Sequence, residues 1–169
     1  IWFSHRFNDK ITDMTNQGNI KIVTENKKAF FNYSIEDKVE AGIVLKGTEV
    51  KSIRMGKVNI QDAFILIRNG EAFVHNLNIL PYPFGTHKQH EPTAVRKLLL
   101  HKYEINKLIG KVMQKGYSIV PLKLYFKSGK IKLEIGLAKG KREYDKKQKI
   151  KEREEKRSLE KIEKYYKIR

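Results

Sequence analysis

Apolar and polar positions alternate most cleanly in two stretches that lie close together. Leu122, Leu124 and Phe126 point one way from a run whose other side carries Lys123, Tyr125 and Lys127. Ile131, Leu133, Ile135 and Leu137 oppose Lys130, Lys132 and Glu134, with Ser128-Gly129 between the two runs. A period of two predicts half-buried strands, and the Ser-Gly step predicts the turn joining them. One face is core; the other is basic with an aromatic among its lysines. Upstream, Ala63–Ile67 and Ala72–Val74 flank Arg68-Asn69-Gly70-Glu71, and Asn-Gly at that spacing signals a hairpin. Ile43-Val44-Leu45 leads into Gly47-Thr48-Glu49-Val50, where the clustered β-branched residues extend the strand-rich reading of 41–80. Pro81, Pro83 and Pro92 mark a long polar loop, expected on the surface. Leu98, Leu99, Ile105, Leu108, Ile109 and Val112 recur close to helical spacing before a stop at Gly116. Over 96–115 this fits either one helix or a short strand followed by a helix. Many short strands with one main helix predict a mainly β fold, an OB-type closed antiparallel barrel that leaves no edge strand exposed.

The last thirty or so residues follow a different rule. From Lys139 onward there is no Pro and only Gly140, so the residues favour a helix, yet Tyr144, Ile150, Leu159, Ile162, Tyr165, Tyr166 and Ile168 form no continuous apolar stripe. Glu143–Lys147, Asp145–Lys149, Glu152–Lys156, Glu160–Lys164 and Glu163–Lys167 are acid-before-base pairs four apart, each adding about 0.2–0.5 kcal/mol to a helix. Such a segment is expected to take its order from a partner.

Charge identifies the kind of partner. The formal net charge is +17. The tail holds 14 of the 36 basic residues and 7 of the 19 acidic ones, leaving 22 and 12 for the rest, so body and tail are both cationic. Neutralising phosphates rewards this composition, which makes nucleic acid the leading partner and an anionic membrane the weaker one. No run of about eighteen apolar residues exists, and the absence of cysteine fits a reducing, cytoplasmic setting. Residues 1–25 are expected to be a flexible N-terminal extension, those before Met14 being either an addition upstream of the native start or a genuine N-terminal arm. Residues 26–138 are expected to form the barrel and 139–169 the basic tail.

Catalytic chemistry has little to stand on. Of His5, His75, His87, His90 and His101, only His87-x-x-His90 has a metal-like or acid–base spacing, and the prolines around it argue against the helix a metal site would need. No phosphate-binding glycine loop is present. No cofactor and no metal are expected. Glu40, from spacing alone, reads as a surface carboxylate paired with a lysine.

Six strings then occur in order: Asn26-Lys27-Lys28-Ala29, Glu40-Ala41-Gly42-Ile43, Gly47-Thr48-Glu49-Val50-Lys51-Ser52, Arg96-Lys97-Leu98-Leu99-Leu100-His101-Lys102, Leu124-Tyr125-Phe126 and Gly136-Leu137-Ala138-Lys139-Gly140-Lys141. Together they resemble the bacterial SsrA-binding protein family, also called small protein B, from about Asn26 through the tail. The resemblance implies an OB-type barrel that holds the tRNA-like part of transfer-messenger RNA, and a function without catalysis. It implies delivery of that RNA to stalled bacterial ribosomes, with the tail turning helical in the vacant message channel near the decoding centre. Elongation factor Tu and alanyl-tRNA synthetase would be met indirectly, through the RNA. Carried onto this chain, the RNA contacts are Glu40, Leu99 and Lys132, with Arg96 and Lys97 on phosphates. Gly140 is the hinge, and Tyr144-Asp145-Lys146-Lys147 sits at the decoding centre. Where the family often has His this chain has Phe31, which keeps a stacking face and loses a hydrogen bond. Where it often has Arg this chain has Lys147, which keeps the charge and loses the fork geometry.

Overall fold

The computed structural model describes residues 20–85, 89–114 and 116–167. The expectations for 1–19, and for His5 and His87, lie outside these residues. Nine strands and four helices follow in the order β1 (Ile20–Glu25), α1 (Lys27–Asn32), β2 (Tyr33–Ile43), α2 (Gly47–Arg54), β3 (Val58–Asn59), β4 (Phe64–Arg68), β5 (Glu71–His75), β6 (Asn78–Ile79), β7 (Arg96–Leu99), α3 (Lys102–Val112), β8 (Tyr117–Lys127), β9 (Lys130–Gly140) and α4 (Glu143–Lys167), counted among the described residues. Strands β8, β4, β5, β7, β2 and β9 hydrogen-bond in that sequence, and β9 pairs back to β8 to close a ring. All these pairings are antiparallel, as an OB-like barrel requires. Strand β1 pairs with Lys123–Lys127 of β8, so Ile20–Glu25 belong to the sheet together with the barrel expected from Asn26.

Both tight turns are where the sequence puts them. Asn69 and Gly70 take φ of 51° and 72°, and Ser128 and Gly129 take 49° and 77°, the left-handed pair that a two-residue hairpin turn demands. The alternation in β9 is realised as well: Leu133, Ile135 and Leu137 are buried in the barrel with Ile53, Ile60, Leu77, Ile79, Leu98 and Leu124. In β8 it is interrupted. Pro121 cannot donate to the ladder, and the register shifts between Pro121 and Lys123. Asn26 covers that irregularity. Its backbone N–H donates to the Leu122 carbonyl at 2.7 Å, and its amide donates to the carbonyls of Pro121 at 3.0 Å and Ile60 at 3.2 Å. Its side-chain oxygen accepts from the Ala29 N–H at 2.9 Å and so starts α1.

Two expectations change. Gly47–Arg54 is a helix, not a strand. Thr48 and Val50 favour β structure only weakly, whereas Glu49 accepts the Lys46 N–H at 2.6 Å and closes the first turn. Ser52 and Ile53 then bury on one face. The alternatives left open for 96–115 resolve as a short strand, β7, followed by α3.

Arg96 is the larger correction. It is 4% exposed and touches no surface where a phosphate would sit. Its Nε donates to Glu49 Oε1 at 2.7 Å. Nη1 donates to the carbonyls of Leu77 and Ala94, and Nη2 to those of Glu91 and Pro92. All five guanidinium donors are therefore engaged inside the protein. Removing one partner would strand the other charge without water, so Arg96→Met is expected to cost about 3–5 kcal/mol in denaturant unfolding. Arg96→Met with Glu49→Leu should cost less than the two single changes summed. An Arg96→Met midpoint equal to wild type would contradict this.

Candidate nucleic-acid interface

An open groove of about 1070 Å³ runs along the outside of the ring between β2, β7, the start of α3 and the β4–β5 turn. Glu40, Gly42, Lys97, Leu99 and Lys132 all line it. Four of the expected RNA contacts thus converge from three strands, although they span more than ninety residues of chain. Pairing explains how: Gly42 lies opposite Leu99 in β7 and opposite Lys132 in β9. A Cβ on Gly42 would come within 3.1 Å of Leu99 Cβ, so glycine there lets Leu99 lie close across the strand. Leu99 is 55% exposed and takes no part in the core.

Glu40 is anchored rather than free. The Tyr125 hydroxyl donates to its Oε2 at 2.5 Å, and the Lys127 ammonium donates to Oε2 at 3.0 Å and Oε1 at 3.3 Å. Partial burial pushes its carboxyl up, but the bonds from Tyr125 and Lys127, with the nearby Lys127 and Lys132 charges, outweigh this and hold it below the usual carboxylate range. The same contact, after burial, raises the Tyr125 phenol. The lysine pairing read from spacing is thus present, and the same carboxylate lines the groove. Oε1 accepts only the longer lysine bond and keeps acceptor capacity.

Lys97 is exposed but meets Glu71 across β5–β7 at 2.5 Å, so a phosphate would compete with that carboxylate. Lys107 is similarly held by Asp37 at 2.6 Å. Among the described residues Lys132, half-buried in the groove lining, has no carboxylate within 4 Å, which leaves its cation open to an anion. Tyr125 and Lys127, which position Glu40, enter the sequence reading only as the polar side of a strand and not as site residues. Their signal was present in the polar side of β8, but only the register with β9 brings that side to Glu40.

The other expected residues lie elsewhere. Phe31 is half-buried on α1 and does not line the groove. Gly140 is the last residue of β9, paired with Tyr33, and its φ is not in the left-handed region. Helix α4 begins three residues later. Tyr144 is 76% exposed, Asp145 and Lys147 are exposed, and Lys146 is half-buried. The Lys141 and Lys149 ammoniums both donate to the Phe30 carbonyl, at 3.2 and 3.5 Å, which ties the tail's first turns to α1. Burial, then the adjacent Lys149 charge, lowers the Lys141 amine.

His90 corrects the reading of the proline loop. It is 4% exposed, with Nδ1 3.0 Å from Thr48 Oγ1 and Nε2 3.0 Å from the Ile79 carbonyl, so both ring nitrogens are engaged. Among the described residues no three metal-ligating side chains converge, and no helix is long and apolar enough to cross a membrane.

A ring of hydrogen-bonded antiparallel strands with a lysine-bearing groove and a basic helical arm is the architecture of an OB-like nucleic-acid-binding protein. Comparison with known proteins gives the family: the model described as SmpB protein matches residues 23–165. SsrA-binding protein of Geobacter metallireducens is 58% identical over 139 residues, covering 82% of this chain and 91% of that one. That of Persephonella marina is 58% identical over 142 residues, covering 84% and 93%. A solved chain from "tmRNA-SmpB: a journey to the center of the bacterial ribosome" superposes with a TM-score of 0.62 at 47% identity, covering 75% of this chain and 93% of its own length. The chain belongs to the SmpB family.

The Glu40 environment fixes a pH dependence. A carboxyl whose folded value lies below its unfolded value contributes stability above the unfolded value and loses it as pH falls through the folded one. Carbon-detected NMR titration should find Glu40 below an ordinary glutamate, and Tyr125→Phe should move it upward by removing a hydrogen bond to the charged form. A Glu40 titrating above the ordinary range would contradict the geometry.

Proposed function

We propose that this protein is a non-enzymatic RNA-binding adaptor that binds the tRNA-like domain of transfer-messenger RNA and brings it to stalled bacterial ribosomes for trans-translation. The observation that carries the reading is the convergence of Glu40, Leu99 and Lys132 in one groove of an SmpB-family barrel. Each suits a different part of an RNA surface. Lys132 offers a charge to phosphate, Glu40 accepts from a base or a 2′-hydroxyl, and exposed Leu99 packs against a sugar or base face. Lys97 adds a second cation once Glu71 yields it. Arg96 contributes by holding β7 and not by touching RNA.

Phe31, on the separate surface of α1, stacks on a nucleotide outside the groove. The tail serves the ribosome: Gly140 sets its direction, Tyr144, Asp145, Lys146 and Lys147 meet the decoding centre, and the rest of α4 follows the empty message channel. Its polar circumference suits a channel walled by RNA, where an apolar stripe would have nothing to bury against. Elongation factor Tu and alanyl-tRNA synthetase act on the same RNA without requiring a surface of this protein. The alternative, a general ribosome-associated RNA-binding protein with an OB body and a basic arm, predicts equal affinity for the tRNA-like domain and an ordinary tRNA.

Three outcomes test the reading. Glu40→Ala is expected to weaken binding of the tRNA-like domain about tenfold with the fold intact by circular dichroism, consistent with losing one hydrogen bond to a charged group. Truncation after Arg142, which keeps the Lys141 N–H bond to the Asn32 carbonyl, should leave that affinity nearly unchanged and abolish tagging in a reconstituted translation assay. Equal affinity for ordinary tRNA would favour the alternative.

A further inference from the structure

Tyr103 is 69% exposed at the beginning of α3, and its ring lies nearly parallel to that of His101, with centroids 5.6 Å apart and 12° between the planes. Neither ring belongs to the core; α3 buries Ile105 and Leu108 instead. Both rings border the groove that carries Glu40, Leu99 and Lys132. Lys102, between them in sequence, is exposed and has no carboxylate within 4 Å among the described residues. Packing gives no reason to hold two aromatic planes in water beside an open cation. Recognition of RNA does: an unpaired base stacks on an aromatic face while the neighbouring phosphate meets an ammonium.

We propose that His101 and Tyr103 form a stacking platform for an unpaired base of the bound RNA at the α3 end of the groove. The inference rests on the groove being the RNA surface. Two rings already stacked on each other present a face whose orientation is set before binding, so little side-chain freedom is lost when a base adds to the stack. The platform also divides the groove. Lys132 and Glu40 engage backbone, sugar or base edge from the β2–β9 side, and the rings receive a base splayed out on the opposite side. The ligand is therefore a nucleotide outside a continuous helix, because a base stacked within a duplex offers no free face.

The test is binding of the tRNA-like domain to the full chain, followed by fluorescence anisotropy across a salt series, with circular dichroism confirming the fold of each variant. Tyr103→Ala and His101→Ala should each weaken binding about tenfold, and Tyr103→Phe should stay within about twofold of wild type. The dependence of log affinity on log salt should be unchanged in Tyr103→Ala, whereas Lys132→Ala should reduce that slope by about one phosphate contact. Wild-type affinity in both alanine variants, with Glu40→Ala still weakened, would overturn the platform and leave the groove standing. Loss in Tyr103→Phe equal to that in Tyr103→Ala would assign the effect to the hydroxyl and overturn stacking, and so would a flattened salt slope in Tyr103→Ala. Wild-type affinity in Glu40→Ala and Lys132→Ala would overturn the groove itself, and the platform with it.

Discussion

The buried pairing of Arg96 with Glu49 is the constraint on which the exposed groove depends. It joins the first turn of α2 to β7, and the other guanidinium donors tie down the carbonyls of Leu77 and of the loop from Glu91 to Ala94. A strand of four residues has little register of its own. With Arg96 and Leu98 held inward, alternation leaves Lys97 and Leu99 no choice but to face out. A slip of one residue would put Leu99 inside and a guanidinium in the groove. The pair thus acts on RNA binding without touching RNA. Two of the strings most diagnostic of the family, those around Glu49 and Arg96, meet in this contact, so part of what marks the family is structural.

A protein this basic has little need of further cations to attract RNA; it needs a means of choosing where RNA sits. In the proposed function Glu40 serves that end. In a cationic groove an exposed carboxylate would be satisfied by any passing ammonium and would swing to reach it. Tyr125 and Lys127 fix it in one orientation, and the neighbouring charges keep it ionised. What remains is a single acceptor position at a set distance from the Lys132 cation and the Leu99 side chain. Electrostatics then supplies attraction at long range, and geometry supplies selection at contact. The proposed platform of His101 and Tyr103 extends the same logic with a surface that reads a base by its face.

Much of the barrel was legible because period-two alternation and left-handed turn residues are local signals. The strands on either side of Ser128-Gly129 and Asn69-Gly70 needed nothing beyond their own neighbours. Gly47–Arg54 was misread because Thr48 and Val50 carry a β preference that one capping carboxylate and a buried face overcome. Arg96 was placed on phosphate by the resemblance alone, and only the assembled fold brings five acceptors around it. His90 looked like loop polarity until the fold placed Thr48 and the Ile79 carbonyl on either side of its ring. The convergence of Glu40, Leu99 and Lys132 follows from strand pairing that spacing does not encode, and their joint role came from resemblance to a family rather than from periodicity or charge.

In the proposed function body and tail divide the work: the body presents a preset groove, and the tail is a charged helix with almost nothing of its own to bury. Amide shift mapping of the isotope-labelled full chain with the tRNA-like domain tests that division most directly. The account predicts the largest changes at Glu40, Leu99, His101, Tyr103, Tyr125 and Lys132, with smaller ones at Phe31 and little beyond Glu143. Changes concentrated in α4, with the groove silent, would contradict it.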